Sequence, residues 1–250
     1  MSGARTSEKA NGKMPLGGES GWEDHLDELR RRVIAVLVVF SASALAAFVF
    51  SDNLAAFLMS PVSGLGVKLY TFAPAEKFTA YLRLSVWTGV LMSLPFALLQ
   101  IGAFVWPALI GNERRYAAAA LLLIPLLFIS GSALTYKFLA PVVLKFFLSF
   151  GASDAVQQLW GFSEYLSMLA ALMIASGLLL ETPLVLLASF ALGILTPKRV
   201  SRFRPHIIVA LFLIAGICTP PDVISQIALG VPLYLLFELT LLIGRLIVPN

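Results

Sequence analysis

The sequence predicts an all-α, polytopic membrane protein with six transmembrane helices, both termini on the same side, and short fifth and sixth helices. Three observations carry this. Hydrophobic residues make up 59% of the 250-residue chain and charged residues only 13%, against about 45–50% and 25% in soluble domains. The apolar residues gather in runs of roughly 18 or more, long enough to cross a hydrocarbon core about 30 Å thick. These runs are continuous rather than alternating, which selects helices over a barrel.

Residues 1–21 are polar, rich in Gly, Ser and Lys and without periodicity, and read as a disordered cytoplasmic tail. Residues 22–250 read as one transmembrane domain. It opens with an amphipathic stretch, 22–32, in which Leu26, Leu29 and Val33 recur at helical spacing and Glu28, Arg31 and Arg32 take the other face. The first apolar run, 33–50, follows basic residues and ends near Ala-Leu-Ala-Ala, as a signal peptide would, but its length favours a retained helix. Residues 51–71 hold Pro61, Gly64 and Gly66 and read as a loop.

The second run covers 75–104, with a kink expected at Pro95. After a short loop, 106–115, the third run covers 116–150 and is too long for one straight crossing. It is expected to tilt and then turn near Pro141 into an interfacial segment. The fourth run, 162–195, contains Glu181 and Pro183. The fifth, 207–218, spans only about 18 Å as a helix, short of the core thickness. The sixth runs from the Thr219-Pro220-Pro221-Asp222 turn to residue 248.

Thirteen of the 18 lysines and arginines fall in the N-terminal region, the second and fourth loops and the C-terminal end. The positive-inside rule therefore puts both termini in the cytoplasm. The net charge of +4 sits in loops between apolar runs, which argues against nucleic acid as a partner. Cys218 is the only cysteine and reads as a packed thiol. His25 and His206 lie far apart, and no Gly-x-Ser-x-Gly, His-Glu-x-x-His or phosphate-binding Gly-Lys motif occurs. The chain is expected to be no enzyme and to need neither metal nor cofactor.

A few polar residues stand out. Glu181 lies in the cytoplasmic half of the fourth run, where a charge costs about 2.5–3.5 kcal/mol on insertion scales. It reads as a polar partner site, as a proton relay, or as a carboxyl bonded to a neighbouring helix. Glu28 reads as half of an i,i+3 or i,i+4 pair with Arg31 or Arg32, or as a carboxylate for a cationic ligand. Glu113 reads as a first-turn carboxylate favoured by the helix dipole, or as a grip for arginine. Asp222 reads as a helix cap, and Gln226, one turn on, as a hydrogen-bonding group for another helix.

Several stretches resemble one family in order. They are His25-Leu26-Asp27-Glu28-Leu29-Arg30; Phe72-Ala73-Pro74-Ala75-Glu76-Lys77-Phe78; Phe104-Val105-Trp106-Pro107-Ala108-Leu109 with Glu113-Arg114-Arg115; Glu181-Thr182-Pro183; and Thr219 to Gln226 with Pro232 and Phe237-Glu238. The family is TatC, the core subunit of the twin-arginine protein translocase, and the likeness runs over about residues 24–248. Ala108 stands where the family often has Gly, and Asp27 where it is often apolar.

The resemblance implies a receptor for twin-arginine signal peptides. It implies export of folded cargo across the cytoplasmic membrane with TatA and TatB, driven by the proton motive force, within an oligomeric complex among membrane lipids. It implies that Glu28 and Glu113 bind the arginine pair, with Phe104, Leu109 and Arg30 shaping that site. It places Glu181, Thr219, Asp222 and Gln226 against partner helices, and has the short fifth and sixth helices thin the membrane. The competing expectation from Glu181 alone is a proton-coupled small-solute transporter.

Overall fold

The computed structural model describes residues 20–105, 113–150, 159–219 and 222–247. The expected tail falls almost wholly outside them. Ten α-helices order the described chain. They are α1 (Ser20–Val49), α2 (Ser51–Ser63), α3 (Glu76–Val105), α4 (Glu113–Leu134), α5 (Ala140–Ser149), α6 (Phe162–Leu180), α7 (Thr182–Ala191), α8 (Pro197–Arg202), α9 (Arg204–Cys218) and α10 (Val223–Ile247). A π turn over Thr135–Leu139 joins α4 to α5, and two-residue strands β1 (Leu69–Tyr70) and β2 (Trp160–Gly161) pair in parallel.

Five stretches are long and apolar enough to cross a membrane: Glu23–Val49, Glu76–Phe104, Leu121–Ser149, Phe162–Ala191 and Val223–Leu246. Helix α9, at 15 residues, is the shorter apolar helix expected as the fifth. The chain is thus a multi-pass membrane protein. Its exposed Leu, Ile, Val and Phe side chains, such as Leu45, Leu122 and Leu246, form the surface that lipid covers.

Three expectations need correction. Residues 51–63 are helical rather than a loop, because Ala55, Leu58 and Val62 form a buried stripe at helical spacing. Pro61 removes the N–H that would bond the Phe57 carbonyl. The Tyr136 hydroxyl donates to that carbonyl instead, at 2.6 Å, and its ring stacks on Phe57 at 4.7 Å.

The chain also does not turn out to the interface at Pro141. It continues as α5, whose Val143 and Leu144 are fully buried, with α2 and α10 packed against it. The π turn just before Pro141 absorbs the proline's missing bond. Third, the sixth helix is not short: α10 has 25 residues and carries Pro232 without breaking. The fourth run is one 30-residue span, Phe162–Ala191, made of α6 and α7 with a kink at Glu181, because Pro183 cannot donate to the preceding turn. Gly193 closes α7 at φ 68°, with Ile194 N–H bonded to the Ser189 carbonyl, which is the left-handed cap that favours glycine.

The helices pack into two cores. One joins α2, α3, α5 and α6 near the β1–β2 pair, around Leu58, Leu84, Leu144, Leu166 and Leu169. The other joins α5, α7, α8, α9 and α10 around Val143, Phe190, Val200, Ala215 and Leu233. Helix α4 crosses α6 where glycines meet: a Cβ on Gly131 would lie 2.7 Å from the Ser176 carbonyl oxygen. Helix α1 lies along α3, and only 6% of its most apolar window is buried.

Candidate functional site: the carboxylates of the basic face

One end of the bundle gathers the start of α1, the end of α3, the start of α4 and the basic segment of α8 and α9. Among the described residues it holds Arg30, Arg31, Arg32, Arg114, Lys198, Arg199, Arg202 and Arg204. Glu28 lies there on α1. Its carboxylate accepts from Arg32 Nη2 at 2.5 Å and from Arg32 Nε at 3.1 Å, one turn away. Both bonds land on Oε1, so the carboxylate keeps accepting capacity. The glutamate side chain is 30% exposed and that of Arg32 22%.

The same guanidinium reaches α3. Arg32 Nη1 donates to Gln100 Oε1 at 2.9 Å, and Nη2 donates to the Ala103 carbonyl at 3.2 Å. That carbonyl belongs to the last turn of α3, where the helix itself supplies no donor. His25 packs its ring on Phe104 at 4.9 Å. The sequence thus brings a carboxylate, an aromatic ring and a guanidinium together at the α1–α3 seam.

Glu113 is the first residue of α4; its side chain and Leu109 lie outside the described residues. Arg30 is exposed on α1. Gln100 was missed by sequence reasoning. The signal was present, because Gln100 is a polar residue near the end of an otherwise apolar run.

Deeper in the bundle, Glu181 is 6% exposed, and its Oε1 is buried without a hydrogen-bond partner among the described residues. The Ser176 hydroxyl, also on this strand of the bundle, shares that condition. Buried polar groups are normally satisfied, so the orphaned Glu181 oxygen marks a place where a further group fits.

At the third location Asp222 caps α10, its Oδ2 accepting from Ser225 N–H at 2.7 Å and its Oδ1 from the Ser225 hydroxyl. Thr219 is buried and bonds back to the Ala215 carbonyl at 2.8 Å. Gln226 Nε2 donates to the Phe212 carbonyl at 2.8 Å, tying α10 to α9. These residues do not meet Glu28: the basic-face site and the α9–α10 turn lie at opposite ends of the bundle. No cluster of three metal-ligating side chains occurs among the described residues.

Comparison with known proteins bears on this arrangement. The family model described as Sec-independent protein translocase protein (TatC) matches residues 24–232. The chain is 35% identical over 229 residues to the Sec-independent protein translocase protein TatC of Haemophilus influenzae, covering 90% of this chain and 89% of that one. It is 35% identical over 235 residues to the TatC protein of Halothiobacillus neapolitanus and 33% over 211 residues to the chloroplastic protein of Arabidopsis thaliana. It spans 63% and 62% of the lengths of those two longer relatives. Two crystal structures of the twin-arginine translocase receptor TatC superpose with TM-scores of 0.77 and 0.76 at 32% identity, covering 88% and 89% of this chain and 99% of each of those. With the match running from the α1 carboxylate through the α6–α7 kink into α10, the chain belongs to the TatC family of Sec-independent protein translocase proteins, which are translocase components and not enzymes.

Proposed function

We propose that this chain is the receptor for twin-arginine signal peptides and the core of a translocase that exports folded proteins. The observation that carries the reading is the Glu28 carboxylate, which already grips a guanidinium at 2.5 Å on an accessible face. Arg32 stands there in the chemical role of an incoming arginine. Carboxylates hold guanidinium groups better than ammonium groups because the planar fork matches their two oxygens. A second carboxylate, Glu113, opens α4 at the same end of the bundle, so two arginines find two acids. Phe104 supplies an apolar surface there, the family resemblance assigns Leu109 to the same site, and Arg30 sets the local charge.

In this reading the basic face is cytoplasmic, both termini share it, and α9 is the fifth of six crossings. At about 22 Å, α9 is shorter than the hydrocarbon core, so the bilayer thins beside it. TatA and TatB, as single-span partners, meet Glu181 and the Thr219, Asp222 and Gln226 turn, in an oligomeric complex in the cytoplasmic membrane driven by the proton motive force. The unpartnered Glu181 Oε1 supports that placement.

The test is site-specific crosslinking from position 113 to an Arg-Arg or a Lys-Lys signal peptide, with export of a twin-arginine reporter followed in Glu28→Gln and Glu113→Gln variants. Crosslinking with Arg-Arg alone, and loss of export at unchanged protein level, is the expected result. Undiminished export in the double variant refutes it.

One observation favours a second reading. The buried Glu181 carboxyl, beside the Pro183 kink in a membrane span, is the kind of intramembrane ionisable group on which proton relays are built. Solute uptake by purified protein in liposomes, lost in Glu181→Gln, is its signature.

A further inference from the structure

Arg83 departs from the charge pattern of the rest of the chain. It lies on α3 far from the basic face, about 10 Å along the helix from Glu76. Its side chain is exposed on a surface that is otherwise apolar, between Leu82 at 43% and Val86 at 52% exposure. Its Nη1 donates to Ser163 Oγ at 3.2 Å, at the start of α6. Among the described residues it forms no ion pair. A guanidinium carries five donors, and that bond uses one of them.

The side chain lines a cleft of about 520 Å3 together with Leu82, Val86, Trp87 and Ser167. The cleft opens sideways from the α3–α6 seam, within two turns of the start of α6, so it lies at the depth of lipid headgroups and the first methylenes. Trp87 sits one turn below Arg83, the position that tryptophans take at a membrane interface. Ser167 adds a hydroxyl, and Leu82 and Val86 supply an apolar wall.

We propose that this cleft is a binding site for one phosphodiester headgroup of an anionic phospholipid, in the leaflet opposite the basic face. The phosphate takes the guanidinium fork, and an acyl chain runs down past Val86 and Trp87. Arg matches the planar, bidentate geometry of phosphate oxygens. The cleft lining holds a cation and no carboxylate, Glu164 beside Ser163 lining the neighbouring cleft instead. A headgroup with net negative charge is therefore favoured over one whose ammonium would need a counter-charge. The assignment is independent of the signal-peptide reading, because the site lies at the other end of α3.

The test uses the full chain purified in mild detergent and titrated with phosphatidylglycerol or phosphatidylcholine under native mass spectrometry. Inorganic phosphate and glycerol phosphate serve as headgroup-only competitors. The expected result is one phosphatidylglycerol retained in preference to phosphatidylcholine, with retention weakened about tenfold or more in Arg83→Gln. Arg83→Lys keeps the charge without the fork and falls between the two. That intermediate value also separates lost binding from misfolding, as does unchanged helix content. Equal retention of both lipids, unaltered retention in Arg83→Gln, or no retention by the wild type overturns the proposal. Displacement by inorganic phosphate at matched concentration reassigns the site to free anions and overturns it too. So does Arg83-dependent capture of a carboxylate-bearing helix in place of lipid.

Discussion

Replacing Gly131 with alanine tests whether the α4–α6 crossing depends on contact between backbones. An alanine Cβ there would sit 2.7 Å from the Ser176 carbonyl oxygen and 3.0 Å from the Gly177 Cα. Both are main-chain atoms, so no side-chain rotation relieves the overlap, and the helices must separate by several tenths of an ångström. The separation stretches the bond from the Ser132 hydroxyl to the Met173 carbonyl, 3.1 Å in the native packing. Overpacking costs about 1–3 kcal/mol, and an interhelical bond in a membrane is worth about 0.6 kcal/mol. Alanine's higher helix propensity returns up to about 1 kcal/mol. The net expectation is about 1–2 kcal/mol of destabilisation, read as a shift in the midpoint of reversible SDS unfolding in mixed micelles. Gly64→Ala is the control, because a Cβ there meets nothing within 4 Å. The reasoning fails if Gly131→Ala unfolds at the same midpoint as Gly64→Ala.

Tyr136→Phe leaves the Phe57 carbonyl without the hydroxyl that replaces Pro61's missing N–H, a loss of about 1–3 kcal/mol. In a Pro61→Ala background the helix supplies its own donor, so the same change costs markedly less, and a double-mutant cycle in the unfolding assay reads the difference. Asp222→Ala removes the acceptor for Ser225 N–H at 2.7 Å and costs about 1 kcal/mol, measured in the same way. Glu28→Gln is expected to weaken binding of an Arg-Arg signal peptide about tenfold or more while barely moving the unfolding midpoint, because Arg32 keeps its bonds to Gln100 and Ala103. Peptide titration in nanodiscs beside the unfolding curve separates the two effects.

The sequence is easiest to read where hydrophobic length decides structure. The apolar runs became the long helices, and the 12-residue fifth run foretold the short α9. It is hardest to read at proline. Pro61 looks like a loop signal, yet α2 forms around it because a tyrosine 75 positions later in the chain satisfies the freed carbonyl. Pro183 sits in one apolar run and kinks it at the buried carboxylate. Pro141 is carried inside a helix once a π turn precedes it. In each case the outcome depends on a tertiary partner that no local window contains. At the site, Glu28 and Phe104 were legible as motif residues, and Arg32 as a helical neighbour of Glu28. Gln100, 68 residues away from Arg32, was not.

The placement of Glu28 has a mechanical consequence. Both hydrophobic cores are built from α2, α3 and α5 to α10, and neither includes a residue of α1. Helix α1 is therefore held by lipid and by its long seam with α3, where Gly89 lies close against Phe40 and Ala44. Yet α1 carries the carboxylate proposed to receive the signal peptide. What fixes its basic end is Arg32, whose guanidinium holds Glu28 on its own helix and Gln100 and Ala103 on α3 at once. An incoming guanidinium that takes Glu28 breaks only the bond within α1. The two contacts to α3 remain, and so does the tilted His25–Phe104 ring contact. Arg32 can therefore yield its carboxylate to a ligand without releasing the helix, which lets a peripheral element serve as a receptor surface on a bundle that stays closed.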